Sequence, residues 1–330
     1  MTQATARTTA VSACRPPIPP PHESIGDRMS SRPVVIVVAP TGGMQMPRPG
    51  VEVPLTADEI SAEARRCRDA GAALVHVHAR DENGKNTIKP EAFNRIIKQI
   101  RDQTDILVQT TNGSGVTQDP KTGEWRWPND DDRLGLLNLD EAPDVYGIAA
   151  GSADFWHPDG GYFDEVPYMN SPRYLKETIQ EVYGKGSTLE YEVTGLHVMD
   201  RLALYADQGL LDRNASNLWF TFGGGLCFSP ADPERLVHAQ SYMKRLFPNA
   251  KWGVLGAGLH QYTWPALALA LDCDVIRVGM EDSLYLPDGS LARTNHDIVE
   301  AVAKIVEVFG RRPATPAEAR TILGLDAVSQ

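Results

Sequence analysis

Long apolar runs are missing from this 330-residue sequence. A transmembrane helix needs about 18 or more consecutive apolar residues, and because no such run occurs we predict no membrane partner. The first 32 residues also lack the apolar segment that a secretory signal requires. They are rich in Thr, Ser and Pro, and we predict that they form a flexible tail or an arm that lies on a neighbouring subunit.

Cysteine is scarce. A disulfide framework or a zinc ribbon needs closely spaced pairs of cysteines, and the sequence has no CxxC pair. This usage favours a reducing compartment, so we predict a cytoplasmic protein. The four cysteines are Cys14, Cys67, Cys227 and Cys273.

Positive charge is also in deficit. Lys and Arg number 32 against 43 Asp and Glu, which gives a net charge of -11. A surface of this sign repels phosphate backbones, so we predict no nucleic-acid partner. A small anionic substrate stays compatible with this composition, because a cationic pocket can exist inside an acidic protein.

What the sequence does contain, from residue 33 onward, is a regular alternation of strand-like and helix-like segments. Strict alternation of this kind predicts a parallel sheet, and eight units predict one (β/α)8 TIM-barrel catalytic domain over residues 33–330. The alternative is an open doubly wound sheet, but the first loop has no GxGxxG turn. The strand candidates are PVVIVVAPTGG, AALVHVHAR, DILVQTTNGSG, DVYGIAAGSADF, TLEYEV, NLWFTFGGG, KWGVLGAG and DVIRVGMED.

Two long segments interrupt the alternation. QDPKTGEWRWPNDDDRLG follows the third strand candidate, and WHPDGGYFDEVPYMNSP follows the fourth. Both come after the carboxyl ends of strands, where barrel enzymes vary their loops to set specificity. We therefore predict extra loops at the C-terminal face of the barrel.

Two histidines stand near the end of the second strand candidate. His76 and His78 are two residues apart, so on a strand both side chains point to the same face and can bind one metal ion. The alternative is that they are core histidines bonded to backbone carbonyls. A catalytic zinc ion normally needs a third protein ligand.

Acidic residues after the eighth strand candidate can supply that ligand. In a closed barrel this strand lies beside the first and the first beside the second, so Glu281 can reach the ion that His76 and His78 hold. His2Glu is a known catalytic zinc set. Asp282 can then act as a base and Arg277 can hold it or bind a carboxylate. The alternative is an acidic loop on the surface.

Seven motifs resemble the β-keto acid cleavage enzymes, the 3-keto-5-aminohexanoate cleavage enzyme family. The resemblance implies a TIM barrel, a Zn2+ ion and a homo-oligomer, usually a tetramer. It also implies a reaction in which a 3-keto acid and acetyl-CoA give an acyl-CoA and acetoacetate. The motifs, in chain order, are APTGG, HVHARDENG, VQTTNGSG, AAGSADF, TLEYEV, RVGMED and GRRPATPAEARTILGL.

The same resemblance implies roles for individual residues. His76, His78 and Glu281 match the zinc ligands, Asp282 matches the general base and Arg277 matches its partner. Substrate-binding positions fall on four residues in two motifs, where hydroxyl groups and nearby backbone N–H groups would bind the substrate carboxylate: Thr111, Asn112, Gly113 and Ser152. Thr111 stands where the family has serine, and Ser152 where it has threonine.

Two further positions concern the substrate. The acidic pattern LEYEV implies that Glu190 or Glu192 faces the site, and we take Glu192 as the candidate without excluding the other. Family members that act on an amino-bearing keto acid carry a glutamate in the first loop, and Met44 replaces it here. We therefore expect a neutral or apolar acyl chain in the preferred substrate.

Two other functions are compatible with the pattern. A zinc-dependent hydrolase can use a histidine pair on a barrel strand to generate a metal-bound hydroxide, but such sites draw further histidines from later strands, and only His260 is an ambiguous candidate. A non-catalytic metal-binding barrel is the second alternative.

Overall fold

Eight parallel strands form a closed barrel in the computed structural model of this chain. The first strand pairs with the last, with Val35 beside Val275 and Val37 beside Arg277, so the sheet closes on itself. This confirms the predicted TIM barrel and excludes the open sheet. The structure describes residues 32–43, 45–113, 115–118, 121–154, 166–215, 217–225 and 229–325. Residues 1–31, which make up almost all of the predicted tail, and Met44 lie outside these ranges.

The barrel strands coincide with the eight predicted segments. Valine and isoleucine fill β1, and Val34 to Val38 are completely buried, as expected for a strand covered on both faces. The bounds are β1 Pro33–Val38, β2 Leu74–Val77, β3 Leu107–Thr111, β4 Val145–Ala149, β5 Thr188–Val193, β6 Trp219–Gly224, β7 Lys251–Gly256 and β8 Val275–Val278.

Helices pack around the outside of the barrel. The Thr56 hydroxyl accepts from the Glu59 amide and the Glu59 side chain bonds back to the Thr56 amide, so the capping box fixes the first helix start. The helices are α1 Ala57–Asp69, α2 Pro90–Gln103, α3 Asp130–Leu134, α4 Pro172–Gly184, α5 Leu196–Asp207, α6 Pro233–Leu246, α7 His260–Ala270, α8 Asn295–Val308 and α9 Pro316–Ile322. No helix in the described part of the chain is long and apolar enough to cross a membrane.

The predicted extra loops follow β3 and β4. The first contains a short antiparallel pair, Thr117–Gln118 with Trp125–Arg126, then α3 and one 3-10 turn, Gly135–Leu137. In the second, residues 155–165 lie outside the described residues, and an isolated bridge joins Ala153 to Tyr168.

Side chains inside the barrel form layers of different character. The layer at the amino ends of the strands is apolar, and Ala319 and Leu323 of the α9 segment close it from below. Above it lies a polar layer. The polar side chains inside the barrel therefore lie toward its C-terminal face. The apolar layer includes Val35, Leu74, Leu107, Val145, Trp219 and Val275, and the polar layer consists of His76, Gln109, Glu190 and Thr221.

Candidate active site

The two strand histidines and the rim glutamate meet at the C-terminal mouth of the barrel. Nε2 of His78 lies 3.4 Å from Oε1 of Glu281, and Nε2 of His76 lies 3.9 Å from Oε2 of the same carboxylate. One potential ligand atom from each residue lies within 4.8 Å of the others. The three side chains therefore form a possible metal site, and the alternative of an unrelated surface loop is wrong.

The chemistry of these atoms suits a cation. Oε2 of Glu281 and Nδ1 of His78 are buried without a hydrogen-bond partner among the described residues. A buried carboxylate oxygen without a partner is unfavourable, and a metal ion would remove that cost for Glu281. Burial, helped by the positive charge of Arg277, lowers the pKa of His76 to about 3 and so keeps its imidazole neutral. Two imidazoles and one carboxylate match a catalytic zinc set.

A buried chain of hydrogen bonds orients the first of these ligands. Nδ1 of His76 lies 2.7 Å from the amide oxygen of Gln109, and the Gln109 amide nitrogen donates to Glu190 over 2.6 Å. The Thr221 hydroxyl donates to the other oxygen of Glu190. Because the Gln109 oxygen is an acceptor, Nδ1 of His76 carries the proton and Nε2 keeps its lone pair for a cation.

A second cluster is centred on Arg277 of β8. Its Nε and Nη2 donate to the two oxygens of Asp282 at 3.1 Å and 3.0 Å, a bidentate pair. Nη1 donates to Glu192 over 3.1 Å, and Nη2 also lies 2.7 Å from Glu281. One guanidinium thus contacts three carboxylates. Glu192 is the acidic β5 residue in this upper layer, whereas Glu190 lies one layer below it.

The pKa values in this cluster reflect burial against a shared cation. Burial, opposed by Arg277, raises the pKa of Asp282 to about 6. Desolvation likewise raises the pKa of Glu192 to about 8. For Glu281, burial is outweighed by Arg277 and the two imidazoles, which hold the pKa of this carboxyl well below its usual range. Asp282 and Glu281 are adjacent in sequence but differ in proton affinity, which is the arrangement expected of a base beside a metal ligand.

The loop after β8 is fixed by its neighbours. The Glu281 amide donates to the Ala39 carbonyl over 3.0 Å, and the Met280 amide donates to the Asn295 side chain over 2.8 Å. Asn295 in turn donates to the Pro40 carbonyl, and the Gln261 side chain accepts from the Gly279 amide. The loop therefore holds the Glu281 and Asp282 side chains in place before any ligand arrives.

A match between the chain and a family model decides the identity. The sequence model of the beta-keto acid cleavage enzyme family matches residues 33–325. The chain belongs to this family of enzymes. The expectation drawn from the seven motifs is thereby confirmed.

Relatives of known activity cover most of the chain. The 3-keto-5-aminohexanoate cleavage enzyme of Fusobacterium nucleatum is 31% identical over 274 residues, which is 83% of this chain and 91% of the relative. The 3-oxoadipate:acetyl-CoA acetyltransferase of Cupriavidus necator is 29% identical over 90% of this chain and 97% of its own length. Among solved structures, the ternary complex of ObcA with a C4-CoA adduct and oxalate superimposes with a TM-score of 0.69 and 20% identity, over 82% of this chain and 67% of that one. That likeness supports the fold.

The predicted substrate-binding residues of this family member bond to their own loops. The Thr111 hydroxyl donates to the Gly113 carbonyl over 2.8 Å and accepts from the Gly113 amide over 3.0 Å. The Ser152 hydroxyl bonds in the same way to the backbone of Asn170, while the Asn112 amide donates to the Tyr174 hydroxyl of α4. The Asn112 side chain is thus directed at a surrounding helix, and contact of the four predicted positions with substrate stays a prediction.

Sequence reasoning missed the residues behind the ligands. Gln109 lies in the motif VQTTNGSG, which assigns it no role, and Thr221 lies outside the seven motifs. Only the inward-facing alternation of β3 and β6 signals these two residues. Arg80 was also missed: it donates to the Gly42 and Gln45 carbonyls at 2.6 Å and 3.2 Å and so holds the first loop against the site. A Cβ atom built on Gly42 would lie 2.4 Å from Cγ of Glu281, so this loop packs directly on the third ligand.

Proposed function

We propose that this protein is a zinc-dependent β-keto acid:acetyl-CoA transferase, which converts a 3-keto acid and acetyl-CoA into an acyl-CoA and acetoacetate. The observation that carries the proposal is the contact between the two clusters: the His76–His78–Glu281 set shares Arg277 with Asp282. The names of the relatives, which pair keto acids with acetyl-CoA, support the same reaction. We further propose a cytoplasmic homotetramer.

His76, His78 and Glu281 would hold the zinc ion. Bound there, the ion supplies Lewis-acid polarisation of a carbonyl oxygen. The chain contributes the rest: Gln109 orients His76, and Arg277 keeps Glu281 ionised. The fixed loop after β8 keeps these groups in place without reorganisation during the reaction.

Asp282 would act as the base. Its carboxylate takes a proton from the carbon between the ketone and the carboxylate of the substrate, and Arg277 holds both oxygens in position. That carbon attacks the thioester carbonyl of acetyl-CoA and the CoA thiolate leaves. The thiolate then attacks the original ketone carbon, the bond between this carbon and the deprotonated carbon breaks, and Asp282 returns the proton to acetoacetate. Atoms and charge balance without a further reactant.

The first loop bears on the choice of keto acid. Glutamate at the position of Met44 would pair with an ammonium group, and methionine cannot do so. We therefore propose that the preferred acyl chain is neutral or apolar. A preference for the aminated keto acid, measured as kcat/KM, would contradict this.

A panel of β-keto acids incubated with acetyl-CoA tests the reaction, with acetoacetate as the measured product. His76→Ala and Glu281→Ala should lose bound metal and activity together, because each removes one of three ligands. Full metal content and activity in either variant would refute the site. Metal-loaded wild-type protein that forms no acetoacetate with any keto acid would instead favour the non-catalytic metal-binding barrel. The hydrolase alternative gains no support, because His260 is not part of the metal cluster in the described residues.

A further inference from the structure

A cavity of about 800 Å³ opens beside Asp282, on the side of the mouth away from β2. The loops that follow β6, β7 and β8 form it, together with the first loop. None of the three metal-binding side chains lines it, so it is a separate compartment that meets the candidate active site at one end. Six of the lining residues matter here: Arg48, Gly258, Leu259, His260, Asp282 and Tyr285.

We propose that this cavity binds the CoA portion of the acyl thioester, with the thioester at the Asp282 end and Arg48 against a phosphate group. This assignment rests on the proposed function, since it names where the second substrate of that reaction lies. The keto acid then occupies the opposite side, between the metal ligands and the loops after β3 and β4.

The position of the cavity suits the attack on a thioester. Asp282, whose side chain is buried, and the buried Ser283 belong to its lining, and the Gly258 amide donates to the Asp282 carbonyl over 2.9 Å, which ties the cavity wall to the base. A thioester that enters from this side reaches the carbon that Asp282 deprotonates. It does not have to pass between the two histidines of β2, because β1 and β8 separate β2 from β7.

The size of the cavity suits a large ligand. Sites for drug-sized molecules occupy about 300–1,000 Å³, and this one, at about 800 Å³, lies in the upper part of that range. A short β-keto acid would leave most of it filled with water. The pantetheine arm of CoA is long and flexible, with alternating alkyl and amide segments, and it matches a cavity of this length.

The cavity lining is amphipathic. Leu259 is 83% exposed and Tyr285 is 44% exposed, so two large apolar side chains stand at the opening with little protein against them. Together they offer an apolar surface for the alkyl segments of the arm. His260 and the backbone around Gly258 add polar groups that can pair with amides.

Arg48 provides the charge that a phosphorylated ligand requires. It is exposed on the first loop, and no carboxylate pairs with its guanidinium in the described part of the chain. Arg293 on the same rim is by contrast paired with Glu52 at 2.8 Å. Asp232 and Asp282 also line the cavity, so an anion needs a local cation there. In barrel enzymes the loops after the seventh and eighth strands often bind phosphate, and these loops build this cavity.

The test compares acetyl-CoA with acetyl-pantetheine, which has the same thioester and arm but no phosphorylated nucleotide. Arg48→Ala should raise KM for acetyl-CoA about tenfold, the effect of losing one charge-assisted hydrogen bond. KM for acetyl-pantetheine and for the keto acid should not change, and Arg48→Lys should restore most of the affinity. Arg293→Ala is the matched control and should behave like wild type. Melting temperatures establish that every variant is folded.

Calorimetric binding of CoA itself separates this assignment from the proposed reaction. Wild-type protein that binds CoA but makes no acetoacetate would refute the reaction, and an about tenfold weaker Kd in Arg48→Ala would still support the cavity. Unchanged CoA binding and KM in Arg48→Ala would overturn the assignment. An increase in KM for the keto acid, or an equal increase for acetyl-CoA and acetyl-pantetheine, would overturn it as well.

Discussion

Single residues behind the metal ligands determine whether the site is ready to bind a cation. Gln109 is completely buried and makes two short hydrogen bonds, one to His76 and one to Glu190. Its amide links an imidazole to a carboxylate, so it fixes which nitrogen of His76 is free. Residues of this kind act through another residue and do not touch the reacting atoms.

Replacing this amide tests its positioning role. Gln109→Leu should weaken Zn2+ binding about 10- to 100-fold, as measured by competition with a chromogenic chelator, because His76 loses the acceptor that holds its ring. Gln180→Leu removes the same side chain from an exposed position on α4 and is the matched control. Equal metal affinity in Gln109→Leu and wild type would show that packing alone orients His76.

Gly42 offers a second test at the same scale, because it lies directly against Glu281. Gly42→Ala should reduce metal content sharply, since a Cβ atom there would lie 2.4 Å from Cγ of Glu281 and displace the ligand. Gly50→Ala is the control: its φ is +80° beside +64° for Gly42, so both variants carry backbone strain, but nothing lies within 4 Å of its Cβ atom. Metal analysis of both purified proteins gives the comparison. A similar loss of metal in the two variants would contradict a direct effect on Glu281.

At the scale of elements, the two ends of the barrel differ in role: the C-terminal end carries the candidate site and the N-terminal end carries apolar packing. The loop after β8 is held by α7 and α8 through Gln261 and Asn295 and serves the site. The C-terminal helix α9 closes the amino-terminal end of the barrel, where the interior layer is apolar. Stability from this layer therefore does not depend on the metal site.

This separation predicts different outcomes for stability and metal binding. Leu323→Ala should lower the free energy of unfolding by about 2–5 kcal/mol, because it leaves a cavity in the apolar layer. Its metal affinity should stay at the wild-type value. Urea unfolding and chelator competition measure the two quantities. Val308→Ala, at a side chain that is 84% exposed, is the control and should change neither. Parallel losses of stability and metal affinity in Leu323→Ala would show that the two ends are coupled.

For the whole molecule, we expect metal binding and folding to be linked. One carboxylate oxygen of Glu281 is buried without a hydrogen-bond partner among the described residues, and a cation would satisfy it only in the folded chain. A ligand that binds only the native state stabilises it in proportion to the logarithm of its concentration.

Metal titration should therefore raise the melting temperature of the protein. At a free metal concentration of about 1,000 times Kd the expected gain is about 4 kcal/mol. His78→Ala should abolish the dependence on metal, because it removes one of three ligands, whereas His296→Ala on α8 should retain it. Scans over a series of Zn2+ concentrations give the measurement. A metal-dependent increase that persists in His78→Ala would place the stabilising ion elsewhere.

Sequence alone determined the elements and the ligand types of this protein. Eight buried strands, the capping box at Thr56 and the same-face spacing of His76 and His78 follow from local patterns, because strand and helix periodicity is a short-range property. The order of strands in a closed barrel predicted that Glu281, next to Asp282, reaches the histidine pair, and the structure agrees with that order.

Only the tertiary structure decided what surrounds these residues. Glu192 lies with Arg277 while Glu190 belongs to the Gln109 chain, a distinction that depends on the height of each residue inside the barrel. The contact of Gly42 with Glu281 and the cavity beside Asp282 join loops that are far apart in sequence. Such contacts depend on the stagger of the strands and on the hydrogen bonds that hold the loops. Neither can be read from a local sequence pattern.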